Sequence, residues 1–100
     1  MPFDLLVLYR WKPGLAPDRI DFHLKKIRAM NGQVPGLLAV RIGPRTLGFG
    51  PAAEGITHAC FMSFAQQADY ETFGRSPIHD DIAPALVADL EELTAVGFTS

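Results

Sequence analysis

The sequence predicts a single α+β domain, with one four-stranded sheet covered by helices. Two observations point there. Four segments read as strands and three as helices, in the order β-α-β-β-α-α-β. These form two βαβ-type halves, the pattern of a ferredoxin-like sandwich. A chain of 100 residues suits one such domain.

Residues 4–11, DLLVLYRW, are aliphatic and aromatic and end at Lys12-Pro13-Gly14, so they read as a strand and a turn. Tyr9 and Trp11 share a face with Leu5 and Val7 and belong to the core or to a subunit interface. Residues 17–31 read as a helix, because Ile20, Leu24, Ile27 and Met30 recur at helical spacing and Gly32 provides a stop. His23 falls on the same apolar face. Pro35-Gly36 turns the chain into a second strand, residues 37–43.

Residues 44–55 hold three glycines and two prolines and read as a loop long enough to act as a lid or binding loop. Within it, GFGPAA at 48–53 has the spacing of a dinucleotide-binding turn. That turn must open a helix, whereas this one leads into a strand. The third strand, residues 56–64, is apolar on both faces: Ile56, Cys60, Met62 and Phe64 on one, Ala59 and Phe61 on the other. A strand of this kind is covered on both sides. Helices of the same chain supply one cover, and a second copy is the simplest source of the other.

Residues 66–74 read as a short helix. Ser76 is a good N-cap and Pro77 a good first residue for the next one, whose apolar stripe is Ile82, Leu86, Leu90 and Leu93. Pro84 is deep enough to predict a kink or a restart. TAVGFTS, residues 94–100, is the last strand.

Hydrophobic residues make up 48% of the chain and charged ones 20%, with a net charge of −2. The pI near 5.8 argues against a nucleic-acid partner, since phosphate binding needs clustered positive charge. Lys25, Lys26 and Arg28 read as a solvated helix face, and Arg41 and Arg45 as ordinary surface. The lone Cys60 excludes an internal disulfide and reads as a buried thiol. No secretory leader pattern and no run of eighteen apolar residues is present, so the expectation is a cytoplasmic protein with no membrane partner.

Three histidines carry the functional question. His79 is the third residue of the helix that starts after Ser76, and its face continues through Ile82, Ala83 and Leu86. It is expected to point inward. Asp80 and Asp81, one and two positions on, do not share that face and favour solvent at a helix N-terminus. The same N-terminus disfavours an imidazolium, which leaves a neutral ring able to take a proton. His23 and His58 are candidates for the same pocket, and the spacing from 23 to 58 to 79 has no zinc-ligand pattern.

RWKPG at 10–14, VPGLLAVRIG at 34–43, GITH at 55–58 and SPIHDDIAP at 76–84 follow one another as in the stress-responsive A/B barrel (Dabb) family, which the chain resembles over nearly its whole length. The resemblance implies a ferredoxin-like monomer. It also implies a homodimer, in which two copies pack sheet against sheet as a dimeric α+β barrel. One member of that family, olivetolic acid cyclase, closes a polyketide with a histidine and a tyrosine in a pocket between helices and sheet. The histidine position is His79 here, making it the candidate base, while the tyrosine position holds Phe73. Tyr70, three residues earlier, is the nearest hydroxyl in the sequence, and His58 matches a second family histidine. The resemblance also implies a weakly held magnesium on the backbone carbonyls of Asn31, Val34 and Leu37, with no other cofactor.

The expectation is a protein that binds a small apolar or aromatic molecule in a pocket that includes His23, Ile27 and Phe73. The alternative is a polyketide-cyclase-like lyase or isomerase with His79 as base, and the second alternative a non-catalytic structural stress-response protein.

Overall fold

A computed structural model describes residues 1–100. Four antiparallel strands, β1 (Phe3–Trp11), β2 (Leu37–Pro44), β3 (His58–Phe64) and β4 (Leu90–Thr99), lie in the order β2-β3-β1-β4. Helices α1 (Pro17–Arg28), α2 (Gln67–Phe73) and α3 (Pro77–Asp89) cover one face. The fold is therefore the ferredoxin-like α+β sandwich.

Strand alternation decides which side chains meet the helices. On β1, Phe3, Leu5, Val7, Tyr9 and Trp11 are buried. β3 adds Cys60, Met62 and Phe64, and β2 adds Val40 and Ile42. From the helix side, Leu24 and Ile27 of α1, Phe73 of α2 and Leu86 of α3 close the core. Tyr9 and Trp11 thus belong to the core between sheet and helices, and stack on each other at 5.6 Å.

The opposite sheet face is different. Cross-strand partners share a face, so Leu6 lies beside Val96 and Phe61, and Asp4 beside Phe98. Leu6 is 45% exposed and Val96 58%. No helix lies on this face, as expected from the two-sided third strand, and only the Arg41 guanidinium leans on the Phe61 ring, at 5.5 Å.

Several boundaries differ from the sequence reading. α1 ends at Arg28 rather than residue 31, and tight turns carry the chain to Gly32, whose φ of 77° suits glycine. A Cβ at Gly36 would strike the Asp69 carboxylate, so helix α2 packs closely on the turn into β2. β3 begins at His58, because Ile56 and Thr57 are still in the loop, although the Thr57 N–H donates to the Tyr9 carbonyl and the Thr57 carbonyl accepts the Arg45 N–H.

The largest correction concerns α3. It ends at Asp89, and Leu90 and Leu93 lie on β4, which starts four residues earlier than TAVGFTS. The Asp89 carbonyl accepts the Lys12 N–H, and β4 then pairs with β1 along its length. Ladder formation with β1 overrides a helical spacing that happens to suit a strand as well. Pro84 does not restart the helix, since α3 runs unbroken from 77 to 89. Pro84 and Asp80, the residue whose carbonyl it cannot serve, are both exposed. The 44–55 region contains one short 3₁₀ turn, Pro51–Ala53, and is tied down by Arg10 Nη2 donating to the Glu54 carbonyl at 2.7 Å.

Candidate functional site

A partly open cavity of about 200 Å³ lies between the sheet and the helices. β1 supplies its floor with Leu5, Val7 and Tyr9. Ile27 of α1, Tyr70 and Phe73 of α2, and Ile82 and Leu86 of α3 form much of the rest. Leu93 and Ala95 of β4 complete the side where the helices leave the sheet partly uncovered. His79 is the one residue of the wall that is neither aliphatic nor an aromatic or thioether side chain.

Local chemistry places His79 there. The Ser76 hydroxyl donates to the Phe73 carbonyl at 2.7 Å and accepts the His79 N–H at 3.3 Å. This cap ends α2 and starts α3 within three residues. The His79 ring then meets Phe73 edge-on, at 5.3 Å and 87°. Asp80 stands 3.9 Å from His79 Nδ1, beyond hydrogen-bonding range, and is exposed. Asp81 pairs with Lys26 of α1 at 2.8 Å. Neither aspartate orients the imidazole.

The other two histidines do not line this cavity. His23, 2% exposed, is the one buried polar side chain of the core. Its Nε2–H donates to Asp89 Oδ2 at 2.7 Å, and Arg19 Nε donates to the same oxygen at 2.6 Å. The His23 bond, and then Arg19, hold the Asp89 carboxyl below its usual range. This cluster fixes α1 to the end of α3, and His23 stacks on Trp11 at 5.6 Å. Trp11 Nε1–H in turn donates to His58 Nδ1 at 3.0 Å. A neutral His58 that accepts at Nδ1 carries its proton on Nε2.

Burial lowers the His58 pKa, with the Asp21 charge opposing it more weakly. The unfolded imidazole takes its proton near pH 6.5, before the folded one does. Stability from this group is therefore present above about pH 6.5 and falls as pH drops toward the lower folded value. The melting temperature is expected to be lower at pH 5.5 than at pH 7.5, with a smaller fall in His58→Gln, whose amide oxygen still accepts from Trp11. Equal falls in both proteins would contradict this role for His58.

Sequence reasoning left Tyr9 out of the pocket. Its alternation with Leu5 and Val7 was visible, but which face the helices cover was not. Tyr9 is 4% exposed, and Cys60 is the titratable group nearest its hydroxyl. Burial, and then Cys60, raise the phenol well above its ordinary value, and burial pushes the thiol up to about 11.

The turn after α1 is closed by the chain itself. The Val34 carbonyl accepts the Leu37 N–H at 3.1 Å, and the Asn31 side chain clasps the Val40 backbone through both its amide atoms. No group of three or more His, Cys, Asp or Glu side chains is gathered anywhere for a metal ion, and no helix is long and apolar enough to cross a membrane. The 44–55 loop supplies no residue to the cavity wall.

Known structures share this fold. A protein of Arabidopsis thaliana superposes with a TM-score of 0.86 at 16% identity, covering 98% of this chain and 94% of its own. A hydroxynitrile lyase from Passiflora edulis gives 0.84 at 24% identity, covering 97% and 91%. A dimeric ferredoxin-like protein of unknown function from Jannaschia sp. gives 0.85 at 21% identity, with both chains covered in full. No curated protein matches the sequence. The profile of the Stress responsive A/B Barrel Domain matches residues 5–99, and the chain belongs to that family.

Proposed function

We propose that the protein binds a small apolar or aromatic molecule in the cavity beside His79, and that it does so as a homodimer joined through the open sheet face. The observation that carries the reading is a cavity of about 200 Å³ whose wall is apolar except for His79 and two tyrosine hydroxyls. Such sites bury a hydrophobic ligand and orient it with a few polar groups. An unfilled apolar space also destabilises a fold, by about 24 cal/mol per Å³. For this volume the loss is at most about 5 kcal/mol, less where the mouth is open. A purely structural protein gains nothing from keeping it. For the partner, the exposed Leu6, Val96 and Phe98 with the half-buried Phe61 beside them support a second copy, and several proteins of this fold are dimeric.

A second reading makes His79 a general base for a lyase or isomerase. It is favoured by one feature: the imidazole forms part of the cavity wall and makes no side-chain hydrogen bond of its own. The hydroxynitrile lyase of the same fold is compatible with base chemistry in such a site.

A thermal-shift screen of single-ring phenols, ketones and hydrophobic acids tests the primary reading. At least one compound is expected to raise the melting temperature of wild type, and less so that of His79→Ala. A screen in which nothing shifts wild type contradicts it. Turnover abolished in His79→Gln with binding retained would establish the second reading.

A further inference from the structure

Only three side chains of the cavity wall can hydrogen-bond: His79, Tyr70 and Tyr9. Their settings differ. His79 is partly exposed. Tyr70 is also partly exposed and leans on Phe3 and Phe64. Tyr9 sits in the middle of the sheet, between His58 of β3 and Leu93 of β4 in register, and is almost wholly buried.

The Tyr9 hydroxyl makes none of the side-chain hydrogen bonds of the fold. The neighbouring Cys60 thiol is a weak donor and a weak acceptor, so the phenol's donor strength is left unused. Burial without a full hydrogen bond is unfavourable for such a group. The raised phenol keeps its proton throughout the physiological range, so it remains a donor.

Charge and size narrow the ligand. No Lys, Arg, Asp or Glu lines the wall, so neither a buried carboxylate nor a buried ammonium would find a counter-charge. An apolar cavity of about 150 Å³ holds benzene. The present cavity of about 200 Å³ therefore takes one ring with a few further heavy atoms.

We infer that Tyr9 is the specificity-determining residue of this cavity, donating to a neutral oxygen acceptor on a single-ring ligand such as an aryl ketone or aldehyde. The inference rests on the reading of the cavity as a binding site.

Acetophenone and α-methylstyrene separate the two ideas, because they share a shape and differ in one carbonyl oxygen. Each is titrated into wild type, Tyr9→Phe and Tyr70→Phe by calorimetry or NMR. Wild type is expected to bind acetophenone about tenfold tighter than α-methylstyrene, the usual effect of one neutral hydrogen bond. Tyr9→Phe is expected to erase that preference, and Tyr70→Phe to keep it. Equal binding of both compounds by wild type overturns the inference and leaves the cavity intact. So does a preference that survives Tyr9→Phe or disappears in Tyr70→Phe. Binding of neither compound overturns the binding-site reading itself, and the inference with it. The wild-type comparison needs no substitution, so the test stands even if Tyr9→Phe folds poorly.

Discussion

Phe64→Ala is expected to lower the unfolding free energy by about 3–5 kcal/mol. Phe64 is the last residue of β3 and is 0% exposed. Its ring packs on Tyr70 at 5.7 Å and on Phe73 at 5.8 Å, so it fixes α2 to the sheet. Truncation removes the transfer energy of a whole ring and leaves a hole that a strand centred between β1 and β2 cannot close. Domains of this size have about 5–15 kcal/mol in total, so the variant approaches the limit of folding. Because α2 carries Tyr70 and Phe73, the cavity should loosen as well. Denaturant unfolding measures the loss, and an unchanged slope shows that it is a change in stability rather than in compactness. A loss below about 1 kcal/mol would mean that Phe64 does not anchor α2.

Val96→Asp is expected to convert a dimer to a monomer. Val96 lies opposite Leu6 on the uncovered sheet face. In the isolated chain an aspartate there stays in water and costs the fold little. In a two-fold interface it appears twice, and each carboxylate is taken out of water unpaired. Dimer affinity should fall by about a thousandfold or more. Sedimentation at micromolar concentration should give the 10.9 kDa species for the variant and twice that mass for wild type. Val87 on α3 is equally exposed but lies away from the open sheet face, so Val87→Asp should remain dimeric. Wild type sedimenting only as a single chain would remove the second copy from the account.

The element order and the family could be read from the sequence because the signals were local and agreed with each other. Alternation in DLLVLYRW, the helical spacing of Ile20, Leu24 and Ile27, and the Ser76-Pro77 cap all depend on residues within a turn or two. The end of α3 could not be read in this way. Leu86, Leu90 and Leu93 fit a helical stripe, and only pairing with a strand eighty residues earlier assigns the last two to β4.

The site divides along the same line. His79 could be placed inward from helix geometry alone, whereas Phe73 entered the pocket only through the family resemblance, and the structure sets its ring edge-on to His79. The three histidines looked alike in sequence, yet two of them are engaged by Trp11 and Asp89 in a cluster that joins α1 to the sheet and to α3. That distinction needs contacts across 47 and 66 residues. Tyr9 was missed because a phenol among aliphatic neighbours reads as core, and becomes a site residue only where the helices leave a gap above it.

A crystal soaked with 4-bromophenol tests the central claim most directly, since bromine can be located by its anomalous scattering. The account predicts one bromine peak inside the cavity, enclosed by Ile27, Phe73 and Leu86, with the ring beside His79. A crystal that binds the compound only on the outer sheet face, or not at all at millimolar concentration, would contradict it.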